Sequence, residues 1–264
     1  MFFLSCLPLL TSKEALSSIP DGDICINTIN AYSYNLAQKN RLYADALANS
    51  DYLLPDGASI VMACRWLKGK SQPKERVAGW DLFSFEMERL EKRSEKKVKN
   101  GEKWLRVMFV GSSEQVLALI KKRAAKDYPN LEVLTYLPPY KDEFTEEESQ
   151  AIVDAVNAAQ PDLLWIGMTA PKQELWVWQH WKQLNINCHV GTIGAVFDFY
   201  AGTAKRAPLW MQRHAMEWLY RLVKEPRRLW RRYLIGNPLF VWHIIKEKRS
   251  KANDTRHTFK ETIE

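Results

Sequence analysis

The sequence predicts an α/β protein with a Rossmann-like, largely parallel β-sheet sandwiched by helices, followed by a basic amphipathic helical appendage at the C-terminus. Two observations predict the sheet. Short apolar segments recur without polar alternation, which is typical of parallel strands buried on both faces. From Leu105 onward these segments begin every 26 to 31 residues, the length of one β-α-β unit. A third observation, a cluster of basic residues and tryptophans after residue 203, predicts the appendage.

Six segments have the length and composition of strands. In chain order they are 23–29, 51–54, 105–110, 131–134, 162–166 and 188–191. Helical patterns separate them, and segments 112–115 and 145–148 have the capping-box pattern that begins a helix. The apolar N-terminus lacks the basic residues that precede a cleaved signal sequence, so we expect a first core strand there. Segment 11–14 then fits a capping box that begins the first helix.

The composition divides the chain into three parts. They are an α/β core at 1–203, a membrane-associating helical appendage at 204–248 and a disordered tail at 249–264. The polar segment 92–103 is expected to be a solvated loop. This loop either separates two halves of the core, 1–92 and 104–203, or is a surface insertion within a single domain.

The 264-residue chain has a formal net charge of +7, and one segment holds this excess. Between Lys205 and Arg232 there are nine basic residues and two acidic ones. Such a cluster indicates an anionic partner, which is a nucleic acid, a membrane surface or a phosphorylated substrate. Basic, tryptophan-rich amphipathic helices are typical of membrane interfaces. The alternative is an ordinary packed helical subdomain with a basic face.

The sequence also excludes several classes of protein. With 46% apolar and 26% charged residues, the chain is not mainly disordered. Its four cysteines form no C-x-x-C pair, which excludes a zinc ribbon and favours a reducing cytoplasm. No apolar run reaches the roughly 18 residues that span a bilayer. The dinucleotide-binding and P-loop motifs, an Asp-x-Asp motif and a histidine pair at metal-binding spacing do not occur, so we expect neither a cofactor nor a metal ion.

Polar residues and glycines follow several predicted strands, at the sheet edge where open parallel sheets bind their ligands. The candidates at these strand ends are Thr28, Asn30, Asp56, Gly111, Gln173, Glu174, Gly194 and Asp198. Asp56, between a proline and a glycine, is a candidate general base, and the alternative is a turn aspartate. Free helix amides after Gly111 favour a phosphate. Glu174 either lines the pocket or only complements the helix dipole.

Arg76 is a candidate phosphate ligand outside the strand ends. Its planar guanidinium can clamp a phosphate with two donors, although a surface ion pair explains the residue equally well on its own. Together, the converging strand ends predict a site for a nucleotide-like ligand.

Seven short motifs follow one another in a specific order. They are Thr28-x-Asn30, Pro-Asp56-Gly, Glu75-Arg76-Val-Ala-Gly79-x-Asp81, Ala-Pro171-Lys-Gln173-Glu174, Gly194-Ala-Val-Phe-Asp198-Phe-x-Ala-Gly202, Lys205-Arg206-Ala-Pro208 and Glu217-Trp-Leu-Tyr-Arg221-Leu-x-x-Glu-Pro226-x-Arg228. In this order, over about residues 5–245, the chain strongly resembles the WecG/TagA/CpsF family of bacterial glycosyltransferases, which is glycosyltransferase family 26.

The resemblance implies an inverting, metal-independent transfer of a hexosyl unit from a UDP-sugar to an undecaprenyl-diphosphate-linked sugar. Such reactions serve cell-surface polysaccharide or teichoic-acid-type synthesis, and the unit is of the N-acetylmannosamine type or glucose. The resemblance further implies that Asp56 is the base, with Thr28 and Asn30 beside it. It implies that Arg76 lies near the donor diphosphate and that Gln173 lines the pocket.

The resemblance also implies that the appendage docks on the membrane and brings arginines over the active site. Without a metal ion, Arg76, Arg206 and the appendage arginines are the expected sources of charge that stabilises the leaving diphosphate. The appendage arginines expected to contact diphosphate or membrane are Arg213, Arg221, Arg227, Arg228, Arg231 and Arg232. We therefore expect a cytoplasmic enzyme on the inner face of the cell membrane. Its expected partners are a UDP-sugar, the lipid-linked acceptor and anionic lipid, without nucleic acid, and a homo-oligomer is left open.

Two departures from the family pattern leave the sugar open. Residues 136–140 read Tyr-Leu-Pro-Pro-Tyr where many relatives have Gly-x-x-Gly-Tyr, and residues 167–171 read Gly-Met-Thr-Ala-Pro where many have Gly-x-Gly-x-Pro. Neither departure involves Asp56. The alternative function is a non-catalytic protein that binds anionic lipid or nucleic acid through the basic C-terminal helices, but it would leave the polar strand-end residues unexplained.

Overall fold

The computed structural model describes residues 2–208, 210–211, 214 and 216–261, with side chains described as far as residue 252. Its centre is one six-stranded sheet whose pairings are all parallel. The strands are β1 (Ile24–Ile29), β2 (Tyr52–Pro55), β3 (Leu105–Gly111), β4 (Leu131–Tyr136), β5 (Leu163–Gly167) and β6 (His189–Thr192). Each strand corresponds to a predicted segment, which confirms the predicted fold class.

The spatial order of the strands is β2-β1-β6-β5-β3-β4. His189 in β6 lies opposite Ile24 of β1 on one side and Leu163 of β5 on the other. The sheet is therefore continuous from the β1/β2 side to the β3/β4 side. Because all six strands run in the same direction, their carboxyl ends lie along one rim, where ligands of such sheets bind.

Helices flank this sheet. In chain order they are α1 (Ala31–Ala37), α2 (Arg41–Ala48), α3 (Ala58–Leu67), α4 (Gly79–Lys99), α5 (Glu114–Asp127), α6 (Glu146–Ala159), α7 (Lys172–His180) and α8 (Val196–Ala201). The capping box predicted at Thr145 is confirmed, because Thr145 and Glu148 exchange side-chain and backbone hydrogen bonds. Helix α5 begins one residue later than predicted, since Ser113 rather than Ser112 accepts the N–H of Val116.

The two faces of the sheet belong to different apolar clusters. Val107 and Phe109 of β3 are buried in one cluster, with helices α4, α5 and α8. Met108 and Val110, which alternate with them, are buried in another, with α6 and α7. Successive side chains of a strand point to opposite faces, so these continuous apolar segments fill a core on each side.

The expectation of a first core strand at the N-terminus is wrong. Leu4–Cys6 forms a short 3-10 helix, and only an isolated bridge between Leu9 and Leu53 joins this segment to the sheet. The residues are nevertheless buried, as their apolar composition indicated. The predicted capping box at 11–14 does not form either. A 3-10 helix at Glu14–Ser18 follows instead, and Lys13 precedes it without a side-chain cap.

The expectation of a solvated loop over residues 92–103 is also wrong. Helix α4 continues through this segment as far as Lys99, and a short turn then leads into β3. Its inward side includes Leu90 and the fully buried Ser94. The Ser94 hydroxyl donates to the carbonyl of Asn130 and accepts the N–H of Leu105. A polar residue, Ser94, thus occupies a core position of α4. An apolar residue there would have continued the helical periodicity through this segment.

The C-terminal part is helical, as predicted. Its described elements are α9 (Glu217–Lys224), α10 (Pro226–Trp230), a π-helical segment Arg231–Ile235 and α11 (Gly236–Glu261). The tail predicted to be disordered from residue 249 continues α11 as far as Glu261, and residues 262–264 lie outside the description. Helix α11 packs on α1 and α3, where Phe240 and Ile244 are buried. Among the described residues, no helix is long and apolar enough to cross a membrane.

Candidate active site

Asp56 lies directly after β2, at the rim formed by the carboxyl ends of the strands. Its backbone N–H donates to the carbonyls of Ile29 and Leu54, at 2.8 and 2.9 Å. Gly57 then begins α3 with a φ of +146°, a conformation that favours glycine. The turn is thus held between the two edge strands, and the half-buried Asp56 carboxylate is held with it.

Thr28 and Asn30 flank this turn on β1. Thr28 is opposite Leu54 in the sheet, and Asn30 follows on the same face two residues later. The Asn30 Cβ lies 3.9 Å from where a Cβ would stand on Gly57. The Asn30 side-chain oxygen accepts the first backbone N–H groups of α1, so it holds the end of that helix beside Asp56.

Arg76 is brought to the same turn by the segment between α3 and α4. The neighbouring Val77 N–H donates to the carbonyl of Pro55 at 3.1 Å. The Arg76 Nη1 donates to Glu217 Oε2 of helix α9 at 2.9 Å. Only 25% of the Arg76 side chain and 17% of the Glu217 side chain are exposed. The ion pair therefore ties α9 to the core next to Asp56.

The surroundings of Asp56 raise its pKa. Burial is the largest cause, and it raises the pKa of Asp56 to about 6. The charges of Glu217 and Asp81 raise the pKa further, whereas Arg76 and Arg221 lower it. A carboxylate with a pKa near 6 is ionised at neutral pH and is still basic enough to accept a proton from a hydroxyl group.

Two of the predicted appendage arginines face this site. Arg221 lies one turn after Glu217 on α9 and influences the pKa of Asp56. The guanidinium of Arg232 lies 4.4 Å from the centre of the Tyr32 ring. Burial lowers the pKa of Arg232, and the charge of Asp56 opposes that effect. The Arg232 Nε is buried without a hydrogen-bond partner, so this arginine can still accept an anionic ligand.

The other described appendage arginines, which are Arg227, Arg228 and Arg231, are exposed. Arg228 pairs with Glu225 on the surface, and the Arg231 guanidinium lies 5.3 Å from the Trp230 ring. Arg213 lies outside the described residues. The set of arginines that the sequence could not subdivide is thus split into an inward pair and an outward group.

Gln173 and Gly194 form the middle of the rim. The Gln173 side chain is buried, and its oxygen accepts the N–H of Met168 at 3.2 Å in the loop after β5. A Cβ on Gly194 would lie 3.0 Å from the Met168 carbonyl and 3.4 Å from the Gln173 oxygen. Both residues thus shape the loop that ends β5.

Glu174 is buried beneath the rim rather than exposed on it. Its Oε1 accepts a hydrogen bond from Gln173 at 2.8 Å, and its Oε2 has no partner. Burial raises the pKa of Glu174 to about 7. Glu174 lines a cavity of about 80 Å³ together with Cys25 and Asp51. Cys25 lies in the first half of β1, and Asp51 directly precedes β2. This cavity extends toward the amino ends of the strands, away from Asp56.

Asp198 and Arg206 lie near the start of the appendage. Burial raises the pKa of Asp198, which accepts a long hydrogen bond from Thr203 and is influenced by Arg228 and Arg221. The guanidinium of Arg206 lies 5.1 Å from the Trp80 ring at the start of α4. Two appendage arginines thus influence the pKa of Asp198. Arg206 lies against Trp80 in helix α4, which also carries Asp81.

The predicted phosphate site after β3 lies at the other end of the rim. Gly111, with a φ of +117°, passes so close to β5 that a Cβ would lie 2.5 Å from the Gly167 carbonyl. A cavity of about 420 Å³ opens next to it. Its lining residues are Ser112, Ser113, Glu114, Leu137, Pro138, Pro139 and Tyr140. The Tyr140 ring is fully exposed at its edge.

Three residues that contribute to the surroundings of Asp56 and Arg232 were not predicted from the sequence as site residues. Glu217 and Asp81 influence Asp56 by charge, and Tyr32 lies against Arg232. The spacing of Glu217 and Arg221 by four residues places both on one face of α9, which is the signal that could have identified Glu217. Among the described residues, no three His, Cys, Asp or Glu side chains are grouped to hold a metal ion.

Comparison with known proteins identifies one family. The model of the "Glycosyl transferase WecG/TagA/CpsF family" matches residues 8–254. A relative from Bacillus spizizenii is 32% identical over 216 residues, covering 82% of this chain and 76% of its own length. One from Bacillus subtilis is 30% identical over 226 residues, covering 86% and 80%. One from Staphylococcus aureus strain MW2 is 26% identical over 238 residues, covering 90% and 85%. All three are named N-acetylglucosaminyldiphosphoundecaprenol N-acetyl-beta-D-mannosaminyltransferase.

Proposed function

The chain belongs to the WecG/TagA/CpsF family of glycosyltransferases, and from this premise we propose that it transfers a hexosyl unit from a UDP-sugar, with inversion, to a sugar on undecaprenyl diphosphate. The relatives' names support this acceptor class, because they specify N-acetylglucosaminyl-diphosphoundecaprenol as the acceptor. The same names favour N-acetylmannosamine over glucose as the transferred unit.

The observation that supports this function best is the environment of Asp56. A half-buried carboxylate with a pKa of about 6 lies at the ligand-binding rim, with arginines on two sides. As the acceptor oxygen attacks the anomeric carbon, Asp56 takes the proton of that hydroxyl group. The bond from the anomeric carbon to the diphosphate oxygen breaks on the opposite face, and its electron pair leaves with UDP. Attack and departure on opposite faces invert the anomeric centre.

Arginine side chains stabilise the charge that develops on the departing diphosphate. Arg76 and Arg221 lower the pKa of Asp56, and the charge of Asp56 raises that of Arg232, so these three arginines are the candidates for this role. Positive groups fixed at such a place in a partly buried site lower the energy of the transition state. Arg76 donates a hydrogen bond to the Glu217 carboxylate, and a diphosphate oxygen of the donor takes the place of this carboxylate when the donor binds.

The cavity between α5 and the segment after β4 receives the nucleoside end of the donor. It is open, it lies next to the first amides of α5, and Tyr140 presents a free aromatic ring at its edge. An exposed aromatic ring can stack on a base, so Tyr140 supports binding of the nucleoside end here. The two prolines of this cavity, Pro138 and Pro139, replace the glycine-rich turn of many relatives and give the pocket its own shape.

The appendage brings the protein to the inner face of the cell membrane. Val223, Leu234 and Ile235 are more than half exposed, next to the outward-facing Arg227 and Arg231. Exposed apolar side chains beside basic ones are typical of helices that lie in the headgroup region of anionic bilayers. The acceptor is a lipid, so this position would deliver it to Asp56.

The test is UDP release from a panel of UDP-sugars with short-chain prenyl-diphosphate acceptors carrying N-acetylglucosamine or glucose. We expect acceptor-dependent release with one donor, UDP-N-acetylmannosamine being the first choice, and an α or β product linkage opposite to that of the donor by NMR. Release that needs no acceptor, or retention of configuration, would contradict the proposal. No release with any pair in detergent or with membranes would also contradict it and favour a non-catalytic lipid- or nucleic-acid-binding protein.

A further inference from the structure

Helix α11 is fixed to the core by a buried carboxylate. Glu247 is fully buried, and its oxygens accept the N–H groups of Leu4 and Ser5 at 3.0 and 2.7 Å. The Tyr34 hydroxyl donates to the same carboxylate at 2.8 Å. Together with the burial of Ile244, these bonds hold α11 in one position against α1 and α3. The outward side of α11 therefore forms a common surface with α3.

Apolar side chains are exposed on both helices of this surface. On α3, Met62 is 68% and Trp66 is 49% exposed, one turn apart. On α11, Val241 and Ile245 are exposed at the same spacing. Lys248, one turn further along the same side of α11, reaches α3, where its Nζ donates to the Trp66 carbonyl at 2.6 Å and lies 5.5 Å from the indole ring. The two apolar rows are therefore adjacent.

The charges on this surface all have one sign. Between Ala58 and Lys68, and between Gly236 and Ala252, the only acidic side chain is that of Glu247. It is buried, and both of its oxygens accept hydrogen bonds. The basic residues of these two segments that are at least partly exposed include Arg65, Lys68, Lys246, Lys248 and Arg249. Tryptophan, methionine and isoleucine surrounded by basic residues fit the headgroup region of an anionic bilayer. A protein partner would need a complementary acidic and apolar face of its own.

We propose that the outward sides of α3 and of α11 between Val241 and Lys248 rest on an anionic lipid bilayer. This inference depends on the membrane association proposed above and extends it from the C-terminal helices to the catalytic core. Helix α3 begins at the turn that holds Asp56, and Met62 lies about 9 Å further along the helix at 1.5 Å per residue. Contact through α3 would therefore set the height of Asp56 above the lipid surface, where the acceptor sugar must meet it.

A matched pair of tryptophans tests this proposal. Trp66 on α3 and Trp104, which precedes β3, are 49% and 50% exposed, so their replacement removes the same side chain from two surfaces. The full-length Trp66→Gln and Trp104→Gln proteins are sedimented with vesicles of phosphatidylglycerol and phosphatidylethanolamine. We expect Trp66→Gln to lower the partition coefficient about fivefold and Trp104→Gln to leave it unchanged. Met62→Gln, a substitution that suits an exposed helix position, should lower it about threefold.

The controls separate this inference from the membrane association on which it depends. Equal binding of Trp66→Gln, Met62→Gln and the wild type would overturn the role of α3, and Leu234→Ser/Ile235→Ser would then show whether the C-terminal helices bind alone. If the wild type binds no vesicle, the proposed membrane partner fails as well. A change in oligomeric state of Trp66→Gln by light scattering, with unchanged vesicle binding, would assign this surface to a second copy of the chain. Unfolding midpoints of all variants must match for the comparison.

Discussion

Arg76 and Glu217, which are 141 residues apart in the sequence, form an ion pair of 2.9 Å next to Asp56. The pair connects the core of the enzyme to the first described helix of its C-terminal part. A guanidinium binds a carboxylate and a phosphate in the same planar geometry, so in the proposed reaction a donor phosphate oxygen would take the place of the Glu217 carboxylate. The same carboxylate raises the pKa of Asp56. Glu217 thus pairs with Arg76 and also raises the pKa of Asp56.

Activity should depend on Asp56 and on its ionisation. Asp56→Asn removes the proposed general base, and we expect kcat to fall about 10²–10⁴-fold, the usual contribution of such a group. In the wild type, kcat/KM should fall tenfold per pH unit below the pKa of Asp56, about 6. The measurement is UDP release across a pH series. A wild-type profile that stays flat through this region, or full activity of Asp56→Asn, would exclude Asp56 as the base.

Glu217→Gln should move the acid side of this pH profile to lower pH. The substitution removes a negative charge that raises the pKa of Asp56, so the Asp56 carboxylate stays ionised at lower pH. The ratio of kcat/KM at about pH 5 to that at about pH 7 should therefore increase relative to the wild type. Glu225→Gln is the matched control, because Glu225 pairs with the exposed Arg228 and is not among the main causes of the raised pKa of Asp56. An equal shift in both variants would argue against a specific effect of Glu217.

Glu174→Gln should make the protein more stable at alkaline pH. In the unfolded chain the Glu174 carboxyl has its ordinary pKa of 4.5, whereas burial raises the folded pKa to about 7. The folded state binds this proton more tightly than the unfolded chain does. The stability that the protonated Glu174 contributes to the folded state is therefore complete below about pH 4.5 and is lost as the pH rises to about 7. The loss amounts to about 3 kcal/mol.

Glutamine cannot ionise, so the Glu174→Gln protein should not show this loss of stability with rising pH. Urea unfolding at about pH 5 and about pH 8 measures it, and the relevant quantity is the difference between variant and wild type at each pH. We expect the free energy of unfolding of the variant, relative to wild type, to be higher at the alkaline pH than at the acid pH. The same relative stability at both values would show that Glu174 is not held neutral in the folded protein.

The strands were predictable from the sequence because parallel strands buried on both faces need continuous apolar segments, as at 105–110 and 162–166. The C-terminal half of α4 was not, because its inward position at Ser94 is polar and satisfied by hydrogen bonds. The N-terminal segment was assigned to a strand because it is apolar, yet its backbone is bound by Glu247, which lies far away in the sequence. Composition indicates burial, but it does not identify a distant hydrogen-bond partner.

The candidate site shows the same limit. Asp56 follows a strand and precedes a glycine, so local sequence places it at the rim. The division of the appendage arginines into Arg221 and Arg232 on the inside and Arg227 and Arg231 on the outside depends on how the last helices pack. That packing is a long-range property, which no local pattern of basic residues determines.

Glu247 should be the most important polar residue for holding the C-terminal helix. Glu247→Ala leaves the N–H groups of Leu4 and Ser5 buried without their acceptor, whereas the Tyr34 hydroxyl keeps the carbonyl of Phe2. Each unsatisfied buried donor costs about 1–3 kcal/mol, so we expect these two N–H groups to lower the free energy of unfolding by at least about 2 kcal/mol. Urea unfolding measures this change. Glu225→Ala, on the surface, should stay within about 0.5 kcal/mol of the wild type. If Glu247→Ala is as stable as Glu225→Ala, α11 is not fixed to the N-terminal segment, and the common surface of α3 and α11 would lose its basis.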